Sequence, residues 1–281
     1  RLTYDTMKNA TIGFIGGGNM ARSLIGGLCQ SGLPPASLHV SEPDETRRQA
    51  LHDDYGISVH ADNQMVVDAC EVVVLAVKPQ ALRQVISELQ PGPSDGKLYL
   101  TIAAGIRTDA IAQWLGGERA IVRAMPNTPA LVRSGATGLF ANRHVNHEQK
   151  DLAESILRAV GLTVWVEEEA QMDAVTAVSG SGPAYFFLIM EAMEKAGVKL
   201  GLPEETARLL TLQTAFGAAK LALEIEEDPG QLRRNVTSPG GTTEQAIFTL
   251  QDRQLEAIFE QALQAARDRA RELADELGQP S

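Results

Sequence analysis

The sequence predicts an α/β first half, with short strands in a parallel sheet, followed by a second half that is all helix. Three features lead there. Gly13-Phe14-Ile15-Gly16-Gly17-Gly18-Asn19-Met20-Ala21 continues an apolar strand and opens a helix. Val72-Val73-Val74-Leu75-Ala76-Val77 shows no apolar–polar alternation, as a strand covered on both faces requires. After Glu167 the β-branched runs stop and apolar residues recur at helical spacing.

Taken in order, the strands are expected at Ile12 to Ile15, Leu38 to Val40, Val72 to Val77, Leu98 to Ile102, Ala120 to Arg123 and Thr163 to Val166. A Pro- and Gly-rich loop runs from Pro91 to Gly96. The domain boundary is placed near Glu167 to Met172, giving residues 7–167 and 168–281. Beyond it Tyr185, Leu188, Ile189, Ala192, Met193 and Ala196 form one helical face, with Glu191, Glu194 and Lys195 outside. Leu255, Ile258, Phe259, Ala262, Leu263, Ala266, Ala270, Leu273 and Leu277 form a second, stopped by Gly278 and Pro280.

With 281 residues and 44% hydrophobic content the chain has enough apolar material for one large or two ordinary cores. A net charge of −11 argues against a broad phosphate-backbone contact, so neither nucleic acid nor an anionic membrane surface is an expected partner. An anionic cofactor must then be held locally. Cys29 and Cys70 have no metal-ligand spacing and read as buried thiols. Arg1 to Thr6 is polar and irregular, Met7-Lys8 reads as the natural start, and a cytoplasmic location fits. The uncharged run from Ala174 is broken at Ser179-Gly180-Ser181-Gly182-Pro183, which is not a membrane helix.

The glycine segment carries the first chemical signal. Gly16 allows a tight strand-to-helix turn, Gly18 lets backbone approach a pyrophosphate, and Ala21 lets helix and strand pack closely. Ordinary glycine turns share the pattern; the strand before and the helix after favour a dinucleotide and hydride transfer. After the second strand, Glu42 suits a ribose 2′-hydroxyl while Arg47 and Arg48 suit a 2′-phosphate, so NAD and NADP both stand. Pro79 fits the first position of a helix, and Lys78 offers its stem to a cofactor or to solvent. Met125-Pro126-Asn127-Thr128-Pro129 is a stiff turn with exposed polar groups, placed for a nicotinamide or simply a turn.

The second signal is Val236-Thr237-Ser238-Pro239-Gly240-Gly241-Thr242-Thr243-Glu244-Gln245. Thr242 and Gln245 have capping-box spacing, so a well-made helix start is one reading. The other uses the same groups: paired glycine amides, two hydroxyls and a helix dipole suit a small carboxylate. His39, His52, His60, His144 and His147 lack ligand spacing, no Ser/His/Asp set stands out, and no metal is expected. Asp173 and Glu191 read as solvated helix charges.

These segments together, with Ala76-Val77-Lys78-Pro79 and Ser179 to Tyr185, resemble the pyrroline-5-carboxylate reductase family over nearly the whole chain. The resemblance implies a Rossmann-type doubly wound sheet followed by a helical dimerisation domain. It implies a homodimer with interleaved helical domains, each site drawing on two chains, and a decamer as a larger ring. It places NADPH, with NADH as the alternative, against Gly16, Gly18, Asn19, Met20, Ser41, Asn63, Val77, Lys78, Pro79, Ala104 and Pro126. Substrate falls to Ser238, Gly240, Gly241, Thr242, Thr243 and Glu226, with Thr243 the catalytic residue beside the ring nitrogen. The implied reaction reduces the C=N bond of Δ1-pyrroline-5-carboxylate to L-proline, the last step of proline biosynthesis.

Two other readings are weighed. A 3-hydroxyacid dehydrogenase needs an amine in the helix after the interdomain connection, and Tyr185 to Met190 contains none. A silent dinucleotide sensor would need no carboxylate segment, so Ser238 to Thr243 counts against it.

Overall fold

The computed structural model describes residues 7–93 and 96–278; Arg1 to Thr6 and Pro280, named above for the start of the chain and the last helix stop, lie outside them. The elements of the first half are β1 (Ile12–Ile15), α1 (Asn19–Gln30), β2 (Leu38–Ser41), α2 (Glu45–Tyr55), β3 (Ser58–His60), α3 (Asn63–Ala69), β4 (Val72–Leu75) and α4 (Pro79–Ser87). Then follow β5 (Leu98–Thr101), α5 (Thr108–Trp114), β6 (Ala120–Met125), β7 (Gly135–Ala141), α6 (His147–Arg158) and β8 (Gly161–Trp165). The remainder is helical: α7 (Gln171–Val175), a π-helical turn (Thr176–Gly180), α8 (Gly182–Lys199), α9 (Glu204–Glu224), α10 (Pro229–Asn235), α11 (Thr242–Asp252) and α12 (Leu255–Gly278).

The sheet runs β3-β2-β1-β4-β5-β6-β7-β8. Pairing is parallel from β3 to β6, and the strand order reverses between β1 and β4. Register aligns Ile15 with Ser41 on one side and with Leu75 on the other, and Leu75 with Thr101. The loops leaving four strands therefore emerge along one edge.

Two cores clamp the sheet. Ile12, Phe14, Val72 and Val74 face one cluster with Leu24, Ile25 and Ile156 from α1 and α6; Ile15, Val73 and Leu75 face the other, with Val66, Leu82, Ile86 and Ile111 from α3, α4 and α5. Every residue of β4 is fully buried, which explains its unbroken apolar run. Each such side chain contributes about 1.5–3 kcal/mol on burial.

Several expectations need correction. The strand at Val72 stops at Leu75, because Ala76 donates its last sheet bond to the Ile15 carbonyl and the chain turns toward Pro79. The last strand is Gly161–Trp165, not Thr163 to Val166. β3 and β7 were not anticipated. β3 has only three residues, and β7 carries Gly135 and Gly138, which dilute its strand signal. Because β7 is antiparallel to β6, the sheet is mixed at that side.

Compact packing divides the described residues after Ser181: those up to 181 and those from 266 to 278 form one unit, and Gly182–Ala265 the other. Helix α7 and the π turn belong with the sheet, Val175 packing tightly at Gly138 on β7. In the second unit α8 packs on α9 and Tyr185 meets Phe259 edge-on. The apolar face expected on α8 is formed but remains open, with Leu188, Ile189 and Met193 exposed, and Phe186 and Phe187, outside that expected face, are about three-fifths exposed. Phe216, Leu209 and Leu223 of α9 are exposed as well.

Cys70 is buried as anticipated, whereas Cys29 is only partly buried. Burial raises the pKa of each, that of Cys70 to about 11 against the nearby Lys97 charge. At pH 8 roughly one part in a thousand of Cys70 is then thiolate. The native protein should leave Cys70 unlabelled by Ellman's reagent at pH 8, and urea unfolding should release it; labelling of native Cys70 at the rate of a free thiol would contradict this burial.

Candidate active site

The candidate site of the first unit lies at the reversal of strand order, between the exits of β1 and β4, the position at which open α/β sheets form a ligand crevice. At the end of β1 the chain must turn at once into α1. Gly16 makes that turn with φ of 100°, and a Cβ there would lie 2.7 Å from the Ala76 carbonyl oxygen. Its amide donates to the Ser41 carbonyl at 2.9 Å, tying the turn to β2. Gly18 is the extended N-cap of α1, no side chain caps that helix, and a Cβ on Gly18 would meet nothing within 4 Å. Asn19 and Met20 form the first turn. A helix start with open approach and no capping side chain fits a pyrophosphate.

The other expected cofactor positions gather on the same edge. Ser41 ends β2 and donates through Oγ to Asn63 Oδ1 at 2.8 Å, so two of them support each other. Asn63 starts α3, which Asp62 caps through the Gln64 amide. Val77 and exposed Lys78 follow β4, Lys78 as N-cap of α4 and Pro79 as its first residue. Ala104 is exposed after β5, and Pro126 is buried after β6. Behind Ser41, on β2, His39 stacks on His60 with the ring nitrogens 3.1 Å apart. Burial and then the His60 charge hold the His39 pKa below its ordinary value.

Three side chains depart from expectation. Glu42 does not look outward: its Oε2 accepts from the Gly17 amide at 2.9 Å and its Oε1 from the Asp44 amide at 3.1 Å. Asn127 is not an exposed turn residue. Its carboxamide donates to the Ser179 carbonyl at 3.0 Å and accepts from the Ala136 amide at 2.9 Å, pinning the π turn against β7. Asp173 is buried rather than solvated, with Arg271 3.9 Å away, while Glu191 is exposed and pairs with Lys195. No local sequence signal marks these contacts, because Glu42–Gly17 spans 25 positions and Asn127–Ser179 spans 52.

The second segment forms a turn in the helical unit. Gly240 takes φ of 70°, the Gly241 amide donates to the Ser238 carbonyl at 3.0 Å, and Gly241 becomes the N-cap of α11. The capping box of Thr242 and Gln245 does not form. Thr242 is already inside the helix, and Glu244 instead accepts from the Gly240 amide at 3.0 Å. Ser238, Gly240 and Thr242 are exposed, Gly241 and Thr243 half-exposed, and no side chain caps α11. The groups suited to a small carboxylate are thus gathered in six residues, whereas Glu226 sits apart in the exposed bend after α9. Among the described residues no three His, Cys, Asp or Glu come together in a group that could hold a metal ion, and no helix is long and apolar enough to cross a membrane.

Comparison with known proteins agrees with this geometry on both halves. The family described as pyrroline-5-carboxylate reductase dimerisation matches residues 169–273, and that described as NADP oxidoreductase, coenzyme F420-dependent, matches residues 11–105. A pyrroline-5-carboxylate reductase of Pseudomonas aeruginosa is 53% identical over 273 residues, covering 97% of this chain and all of the relative. The solved structure of a pyrroline-5-carboxylate reductase from Coxiella burnetii is 49% identical and superposes with a TM-score of 0.92, covering 95% of this chain and 99% of the other. That of Plasmodium falciparum pyrroline carboxylate reductase, with NADP bound, is 29% identical with a TM-score of 0.83 over 95% and 99% of the two chains. With the Rossmann edge, the glycine turn and the Ser238 to Thr243 segment in place over that full-length likeness, the chain belongs to the pyrroline-5-carboxylate reductase family.

Proposed function

We propose that this chain reduces Δ1-pyrroline-5-carboxylate to L-proline, completing proline biosynthesis in the cytoplasm, with NADPH as cofactor and NADH as an alternative. The observation that carries the reading is that the sheet unit and the helical unit each contain an uncapped glycine helix start, the second rich in hydroxyls. When bound, the nicotinamide supplies a hydride.

The chain's own residues bind and orient. Gly16 and Gly18 leave room for the pyrophosphate at the start of α1, with Asn19 and Met20 beside it. Ser41 and Asn63 form the ribose end, and Val77, Lys78, Pro79, Ala104 and Pro126 line the edge on which the nicotinamide half rests. The amides of Gly241 and Thr242, the turn at Gly240 and the Ser238 hydroxyl hold the substrate carboxylate, and Glu226, apart in the bend after α9, is assigned to the substrate as well. Thr243 hydrogen-bonds the ring nitrogen as it changes from imine to amine. A protonated imine that accepts hydride becomes a neutral amine, so no further acid is needed during transfer. The protein's contribution is proximity and orientation.

In this reading residues 7–167 hold the cofactor and residues 168–281 hold substrate and dimer partner. The dimer interleaves its helical domains, each site takes its cofactor face from one chain and its carboxylate segment from the other, and dimers associate into a decamer. Exposed Phe186, Phe187, Leu188 and Phe216 support burial by a second copy, since contiguous apolar patches of this kind mark interaction surfaces.

Nicotinamide oxidation should follow addition of pyrroline-5-carboxylate with NADPH, and more weakly with NADH; silence with both would reject the activity. Thr243→Ala should lower kcat about 10- to 100-fold, one hydrogen bond lost near the reacting centre, with cofactor Kd unchanged. Unaltered kcat removes Thr243 from the reaction. Sedimentation of wild type should show a dimer or larger, and Phe186→Glu with Phe216→Glu should shift it toward monomer. Mixing Gly16→Asp chains with Thr243→Ala chains should then recover activity above either parent, whereas a site contained within one chain recovers none.

A further inference from the structure

We propose that Glu42 is a positioning residue for the glycine turn, and not the acid that reads the cofactor ribose. The inference rests on the dinucleotide reading of the first unit. An acid at the end of the second strand normally faces the crevice and binds the ribose 2′-hydroxyl. Here the side chain is 5% exposed and both carboxylate oxygens are occupied from within the protein. Oε2 accepts from the Gly17 amide and Oε1 from the Asp44 amide, while Arg47 approaches Oε1 to 3.5 Å.

The glycine turn consequently has two different faces. Gly18 is open, but Gly17 is walled in: a Cβ there would lie 2.8 Å from Leu51 Cδ1 and 3.2 Å from Glu42 Oε2. Glu42 presses on the closed face and leaves the open face to the ligand. It is itself fixed at both ends of its peptide unit, its amide donating to the His60 carbonyl at 3.0 Å and its carbonyl accepting from Arg48 at 2.8 Å. A carboxylate whose two oxygens each accept from a backbone amide, with a guanidinium beside one of them, is satisfied where it stands, and at 5% exposure it offers little to a diol.

The same geometry separates the two arginines. Arg48 also reaches the Pro43 carbonyl at 3.4 Å, so its Nη1 is directed to the backbone of the turn. Arg47 is half-exposed and lies against Glu42. The negative charge that sequence alone would set against a 2′-phosphate is thereby neutralised behind the turn, and NADPH is not excluded by it.

The test uses binding to the intact protein without substrate, read from nicotinamide fluorescence, with NADH and with its analogue lacking the adenosine 2′-hydroxyl. Glu42→Ala should weaken both by a common factor on the order of 10-fold, the loss of one charge-assisted hydrogen bond. The ratio of the two Kd values should match that of wild type. Glu42→Gln, which keeps an oxygen for the Gly17 amide, should lose less, and it carries the same comparison if the alanine variant fails to fold. Hydrogen exchange at the Gly17 amide should be slow in the cofactor-free wild type and faster in Glu42→Ala. A ratio that collapses in the variants, or binding that is unchanged by both, overturns the proposal alone. Failure of wild type to bind NADPH or NADH overturns the dinucleotide reading and this proposal with it.

Discussion

The constraint on which the sheet unit depends is the parallel pairing of β1 on both of its sides, with β2 across one edge and β4 across the other. Parallel neighbours force every return connection across a face of the sheet, which covers both faces with helices and makes the strands apolar throughout. It also forces the strand order to reverse at β1, so the loops after β1 and β4 separate there. The uncapped start of α1 stands at that separation. What it offers an anion is backbone: an extended Gly18 N-cap and first-turn amides that no side chain caps.

Acidity overall and anion binding locally are therefore compatible. A chain of net charge −11 attracts no polyanion broadly, yet two glycine turns offer backbone amides at helix starts where side-chain caps are missing. Acidic side chains near these turns are used inward. Glu42 holds the Gly17 amide, and Glu244, in the first turn of α11, holds the Gly240 amide, each tying a carboxylate to the backbone of its loop. The two turns share this construction although one follows a strand and the other a helix.

Much of the sheet was legible because burial on two faces leaves an unmistakable apolar run, and because the strand, glycine turn and helix occur within ten residues. Ile12–Ile15 and Pro79 at the head of α4 fall where local signals put them. β3 and β7 escaped because edge position, short length and glycine content weaken strand periodicity. The Thr242–Gln245 box fitted its spacing, but one residue of register moved the cap to Gly241 and gave the capping carboxylate to Glu244. The face of α8 was correctly apolar in pattern, whereas periodicity says only that a face is apolar, not what covers it.

Sequence by itself determined the class of the fold, the two glycine-rich helix starts, the family and the residue types available for cofactor and carboxylate. These depend on local backbone preference and short-range spacing, which the order of residues encodes directly. Only the tertiary structure decided where Glu42, Asn127 and Asp173 point, since their partners lie 25, 52 and 98 positions away. The energy of a buried polar group is set by the partner it meets across the fold, and that partner cannot be named until the chain has folded back on itself.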